Sequence, residues 1–182
     1  MNDTLRLEAD QLLYGHGLLH LLEEYGVPTI TGSRYLDLMV WRDLDLYVTI
    51  DQFSRLRLYE LLDAICSTFQ PKWIEAKEEK DFPPGCDRSF FLGFETEVLG
   101  TGLWNVDIWF MDAEYIAERQ AYLDRIRLAS EETRAVIHRL KQGLCQSPEY
   151  GQSFFSVDVY NSVLDDGVAT IEEFHQWLRK RC

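Results

Sequence analysis

Asp43-Leu44-Asp45-Leu46-Tyr47-Val48-Thr49-Ile50 is the stretch from which the rest of the chain can be read. Leu44, Leu46, Val48 and Ile50 fall on one side of a period-two repeat, and Asp43, Asp45, Tyr47 and Thr49 on the other. The pattern predicts a strand with an apolar back and a carboxylate-bearing front. Its two carboxylates stand roughly 6–7 Å apart along the strand, which suits a hard divalent cation. Upstream, across the spacer 34–42, Thr31-Gly32-Ser33 closes the apolar run Val27-Pro28-Thr29-Ile30, itself a short expected strand. A glycine there lets backbone come close to a ligand. Ser33 adds a hydroxyl to the backbone N–H groups of such a turn.

Working outward, residues 3–25 predict one amphipathic helix through Leu5, Leu12, Leu13, Leu19 and Leu22, with Asn2 or Asp3 as cap and Gly26 as stop. The i, i+4 pair His16 and His20 on that helix has metal-binding spacing but no nearby third ligand. A second helix is expected over 52–69. Residues 72–76 read as a strand, and 77–88 as a polar loop with Pro83-Pro84-Gly85 at its tip. Residues 89–98 and 103–111 read as a hairpin around Gly100-Thr101-Gly102. Helices are expected over 113–128, 130–145, about 153–165 and 170–181. The fold class is α/β (α+β): a mixed β-sheet flanked by helices over residues 1–125, with a helical C-terminal region, 126–182, packed on it.

Composition narrows the chemistry. The 182 residues, 46% hydrophobic and 13% aromatic, are enough for a packed core. Acidic residues outnumber basic ones 31 to 18, a net charge of -13, which repels phosphate polymers and argues against bulk nucleic acid as substrate. No basic leader precedes an apolar stretch, and no apolar run nears the roughly 18 residues of a membrane span, so a soluble, cytoplasmic protein is expected. Cys66, Cys86, Cys145 and Cys182 are scattered, which predicts reduced, mostly buried thiols rather than a zinc site or disulfide framework.

The third acidic residue of interest is Asp107, in Trp104-Asn105-Val106-Asp107-Ile108-Trp109-Phe110. Alternation turns Val106, Ile108 and Phe110 to the core and Asn105, Asp107 and Trp109 the other way. A carboxylate inside such a strand is costly unless paired or metal-bound. If this strand neighbours 43–50, Asp107 completes a cluster of three.

Gly32-Ser33, nine residues, then Asp43-Leu44-Asp45-Leu46, followed by Asp107 on a later strand, resembles the polymerase-beta-like nucleotidyltransferase superfamily. The short chain looks like the small bacterial branch with the aminoglycoside, lincosamide and minimal nucleotidyltransferases; the likeness covers roughly residues 10–112. It implies a nucleotidyltransferase-like sheet and Mg2+ (or Mn2+) held by Asp43, Asp45 and Asp107. It also implies a nucleoside triphosphate (NTP) gripped through Gly32 and Ser33, and nucleoside monophosphate transfer to a hydroxyl. Asp107 is then a ligand or the general base. The expected partners are an NTP donor such as ATP and a small-molecule acceptor, with no membrane. The alternative is a nucleotide-binding or inactive protein of this fold, acting as a regulatory or antitoxin-type partner.

Other residues carry two readings each. Arg34 and Arg42 flank the spacer and could reach phosphate or offset nearby acids. Within 34–42 the apolar Tyr35, Leu36, Leu38, Met39, Val40 and Trp41 leave open a helix under the phosphates or part of an acceptor pocket. Arg134, His138 and Lys141 form a basic stripe that could fold over the triphosphate but is read chiefly as a solvated face or a salt-bridge partner for the acidic surface. Trp104, Trp109 and Tyr47 are taken to share faces with the carboxylates, with core packing as the default. The acids Glu75, Glu78, Glu79, Asp81, Glu95 and Glu97 read as a charged surface or as an attraction for a cationic acceptor.

Overall fold

The N-terminal stretch folds as two helices rather than one. In the computed structural model, which describes residues 3–50, 53–80 and 88–181, α1 (Asp3–Asp10) passes into a π-helical turn at Gln11–Gly15. α2 (Leu18–Glu23) starts only after Gly17, whose φ of +74° breaks the helical path. The expected helix over 3–25 is therefore interrupted, and its interruption is the cluster Gly15-His16-Gly17. His16 lies on the break and His20 on α2, so the two histidines do not share one helix. Leu5, Leu12, Leu13, Leu18 and Leu22 all stay buried in one core cluster, so the turn keeps the apolar stripe on a common side.

The chain continues through β1 (Pro28–Ile30), α3 (Gly32–Leu36), β2 (Asp43–Thr49), α4 (Arg55–Phe69), β3 (Trp73–Lys80), β4 (Arg88–Thr96) and β5 (Trp104–Met111). The spacer thus holds a single short helix, α3, followed by loop. The sheet order is β1-β2-β5-β4-β3. β2 and β5 run parallel, and every other neighbouring pair is antiparallel. Mixed sheets of this kind, flanked by helices, are α+β architecture.

β3 extends four residues past the expected 72–76, because Lys77–Lys80 pair with β4 out to Arg88. Charged residues suit this position, since β3 is a sheet edge. β4 ends at Thr96 rather than 98. There the Thr96 hydroxyl donates to Phe69 C=O (2.6 Å) and accepts Val98 N–H (3.1 Å), turning the strand out of the ladder. Pro83-Pro84-Gly85, Asp81, Cys86, Cys182, Asn2 and the first residue of the expected 52–69 helix lie outside the described residues.

The back of the sheet builds the core. Leu44, Leu46 and Val48 of β2, Val106, Ile108 and Phe110 of β5, and Phe90, Leu92 and Phe94 of β4 are fully buried. They form one cluster with Leu58, Leu61, Ile65 and Phe69 of α4. Phe53 stacks on Phe110 at 3.9 Å between centroids. α4 starts where the Ser54 hydroxyl accepts Arg57 N–H, an N-cap that satisfies one free donor of the first turn. Trp104 belongs to this back face and is fully buried, which corrects its placement beside the carboxylates.

The remaining elements are α5 (Ala113–Arg127), α6 (Glu131–Leu144), α7 (Ser156–Asp166) and α8 (Ile171–Arg181). The described residues divide into two compact units, one ending at Leu123 and the other beginning at Asp124, and the division falls inside α5. In the second unit α6 is capped by Ser130, whose hydroxyl accepts Thr133 N–H (3.1 Å). α7 begins three residues later than expected, where the Asp158 carboxylate accepts Phe155 N–H (2.9 Å). Cys66 and Cys145 are free but only half-buried, not mostly buried as expected, and Lys141 is not part of a solvated stripe. It is buried and its ammonium donates to the Tyr160 hydroxyl (3.0 Å). Among the described residues no helix is long and apolar enough to cross a membrane.

Candidate active site

The parallel pairing of β2 with β5 brings the expected residues together. Asp45 sits directly opposite Asp107 and Asp43 opposite Asn105. Neighbouring strands lie about 4.8 Å apart, so three carboxylates share one patch of the front face. The transverse line through Asp45 and Asp107 continues to Gly93 on β4 and Glu75 on β3. The next line holds Tyr47, Trp109, Phe91 and Lys77.

Gly32 opens α3 at φ +56° and presses against Asp45. A Cβ at Gly32 would fall on Asp45 Oδ2 and lie 2.7 Å from its Cγ. Thr31 N–H donates to Asp45 C=O (3.2 Å), closing β1 onto β2 just before the turn. The Gly-Ser turn therefore touches the second carboxylate through backbone. Ser33, half-buried, follows in the first turn of α3.

Asn105 links the acids. Its Nδ2 donates to Asp43 Oδ1 (2.8 Å), and its amide also hydrogen-bonds Asp107. Burial pushes Asp107 up to about 6, and the Asp43 charge adds to the shift, while the Asn105 bond pulls the other way. The desolvating wall is aromatic. Phe91 folds over Gly93, where a Cβ would meet Phe91 Cζ at 2.6 Å and Asp107 Oδ1 at 3.2 Å. Trp109 packs against Phe91 at 4.7 Å. Lys77 Nζ lies 5.0 Å from the Phe91 ring and 2.9 Å from Glu79 Oε1. Burial, then the Asp45 charge, also push the Tyr47 hydroxyl up.

The two arginines are engaged by α1. Arg34 places Nε and a terminal N–H on Asp10 Oδ1 (3.1 and 2.5 Å), so it is paired with a carboxylate rather than standing open to phosphate. Arg42 makes a fork with Glu8 (2.8 and 3.1 Å), and Trp104 Nε1 donates to the same carboxylate (3.2 Å). The Arg42 hydrogen bond, with Thr101 and Trp104, holds Glu8 below the usual carboxylate range. Both pairs tie α1 to the segments that carry Gly32 and Asp43. No family model matches the chain, and no curated protein matches it.

Donor chemistry fits a hard cation. Asp43, Asp45 and Asp107 offer oxygen only, and burial and the Asp43 charge raise the proton affinity of Asp107, a cost that a bound cation would offset. Among the described residues, no three His, Cys, Asp or Glu side chains already converge as a metal cluster. Sequence reasoning names Asn105 only as facing away from the core, and it misses Asp10, Glu8, Phe91 and Gly93. The alternation Phe91, Gly93, Glu95 is the available signal for the β4 pair. Nothing local marks Asp10 or Glu8 as partners of arginines 24 and 34 residues away.

Asp107 has a measurable consequence. The unfolded chain releases this proton near 3.8 and the folded protein near 6. Between those values the folded state binds more protons, so the group's contribution to stability falls as pH rises through the window. Asp107→Asn is expected to flatten urea-derived stability over that range and to stabilise the metal-free protein by about 2 kcal/mol near pH 8. An unchanged pH slope would refute the burial argument.

Proposed function

We propose that the protein is a nucleotidyltransferase, moving a nucleoside monophosphate from an NTP to a hydroxyl of a small molecule with Mg2+ or Mn2+. The observation that carries this reading is Asp45 opposite Asp107 on parallel strands, with Asp43 two residues away and Gly32 against Asp45. Asp43, Asp45 and Asp107 would hold the metal, which supplies charge neutralisation at the phosphates. The Gly32 backbone and Ser33 hydroxyl would hold phosphate oxygens.

In the transfer, the acceptor oxygen forms a bond to the α-phosphorus and the bond to pyrophosphate breaks. The acceptor's proton goes to Asp107 where that carboxylate serves as the base rather than as a third metal ligand. Arg34 reaches a phosphate only if it leaves Asp10. That pairing favours one rival reading, a nucleotide-binding regulatory protein that does not transfer. We also place the protein in the cytoplasm, with small-molecule rather than polymeric nucleic acid partners. The net charge of -13 and the free thiols of Cys66 and Cys145 support this.

Thermal melts with each of the four NTPs, with and without Mg2+, test the reading. At a hundredfold excess over the dissociation constant, binding adds about 2.7 kcal/mol, a shift of several degrees for a chain of this size. No metal-dependent shift with any NTP sinks the proposal. A shift without product from an acceptor library, read by mass spectrometry, selects the rival.

A further inference from the structure

We propose that the outer edge of β1 is a second, metal-independent site that takes a planar heterocycle with an amino group beside a ring nitrogen, the edge of a 6-aminopurine or 4-aminopyrimidine. β1 is the sheet's terminal strand on this side. Thr31 N–H donates to Asp45 C=O (3.2 Å) and Thr49 N–H to Val27 C=O (3.3 Å), so residues 27, 29 and 31 turn their backbone toward β2. Alternation in an antiparallel ladder turns Pro28 and Ile30 the other way. Proline has no N–H, so Pro28 C=O is the outward acceptor and Ile30 N–H the outward donor that follows it. An exocyclic amine beside a ring nitrogen offers the complementary donor and acceptor.

An open groove of about 660 Å³ lies along this edge, within the size range of small-molecule sites, about 300–1,000 Å³. Leu19 of α2, Val27 and Ile30 give it apolar walls, and Tyr35 of α3 adds a ring that can stack on a flat ligand. Glu23 brings an acceptor at the rim. Gln120 of α5 also lines the groove, and its Oε1 is buried without a hydrogen-bond partner. A buried amide oxygen of this kind is costly, and rotation of the side chain toward a ligand N–H would satisfy it. The outward edge of β1 points away from β2, which carries Asp43 and Asp45, so the site stands whether or not transfer occurs.

The test is an amide NMR titration of the full chain with adenine, and with N6,N6-dimethyladenine, whose exocyclic amine has no N–H to donate. Adenine should shift the Ile30 amide and the Gln120 side-chain amide, and should bind at least about tenfold tighter than N6,N6-dimethyladenine. Val27 is 66% exposed, so Val27→Trp should fill the groove, remove adenine binding and leave the core resonances in place. Asp45→Asn should keep adenine binding, which separates this site from the metal–triphosphate proposal. A parallel titration with AMP distinguishes a free base from a nucleotide as the better ligand. Equal or stronger N6,N6-dimethyladenine binding, shifts confined to Asp43, Asp45 and Asp107, or no shift up to the solubility of adenine would each overturn the proposal.

Discussion

Asp45→Asn is expected to lower nucleotidyl transfer by at least about a hundredfold while leaving the fold intact. The substitution keeps shape and removes one negative charge from a set of three. Lewis-acid stabilisation of a transferring phosphate is worth several kcal/mol, and each 1.4 kcal/mol is about tenfold in rate. The amide introduced at position 45 can still lie against Gly32, and the apolar back of β2 is untouched. Asp43→Asn should behave alike, since an amide oxygen at position 43 still accepts from Asn105. The measurements are product formation by mass spectrometry and the metal-dependent shift in melting temperature. A variant with full transfer, or with an undiminished Mg2+-dependent shift, would remove these aspartates from the mechanism.

Gly32→Val is expected to cost about 2–4 kcal/mol of stability and to abolish the metal-dependent shift with NTP. Two penalties act together. The backbone at φ +56° suits glycine and opposes a β-branched residue. The new side chain also falls on Asp45 Oδ2 and must drive that carboxylate out of its position. Chemical denaturation reads the first effect and NTP-linked melting the second. In an Asp45→Ala background part of the stability cost should vanish, because Asp45 Oδ2 and Cγ are the nearest obstructing atoms. Equal costs in both backgrounds would mean that the Asp45 carboxyl group is not the source of the cost, leaving the backbone angle and the Asp45 Cβ, 2.9 Å away, to account for it.

Much of the site is legible in the sequence because strands carry a strict period. Alternation assigns Asp43, Asp45, Asn105 and Asp107 to front faces, and the structure puts them there. Trp104 departs from its expected place beside the carboxylates, although the same alternation assigns it to the back with Val106. The interruption at Gly15-His16-Gly17 is hidden by leucines that keep their burial through a π turn. The strand at Lys77–Lys80 is hidden because an exposed edge tolerates charge that a propensity reading assigns to a loop.

Local pattern was sufficient for the strands that carry the acids, since backbone geometry couples side-chain direction to position within a strand. It placed β2 with its acids forward, β5 with Asp107 forward, and a tight turn at Gly32. Which strands lie side by side is another kind of information. The parallel joining of β2 to β5 depends on a crossover through α4, β3 and β4, and on burying the backs of β2, β5 and β4 against α4. That packing alone sets Asp45 against Asp107, folds Phe91 beside it, and brings α1 near enough for Asp10 and Glu8 to take Arg34 and Arg42. Charges that look independent along the chain become coupled because the core fixes their neighbours, and with them the proton affinity of Asp107.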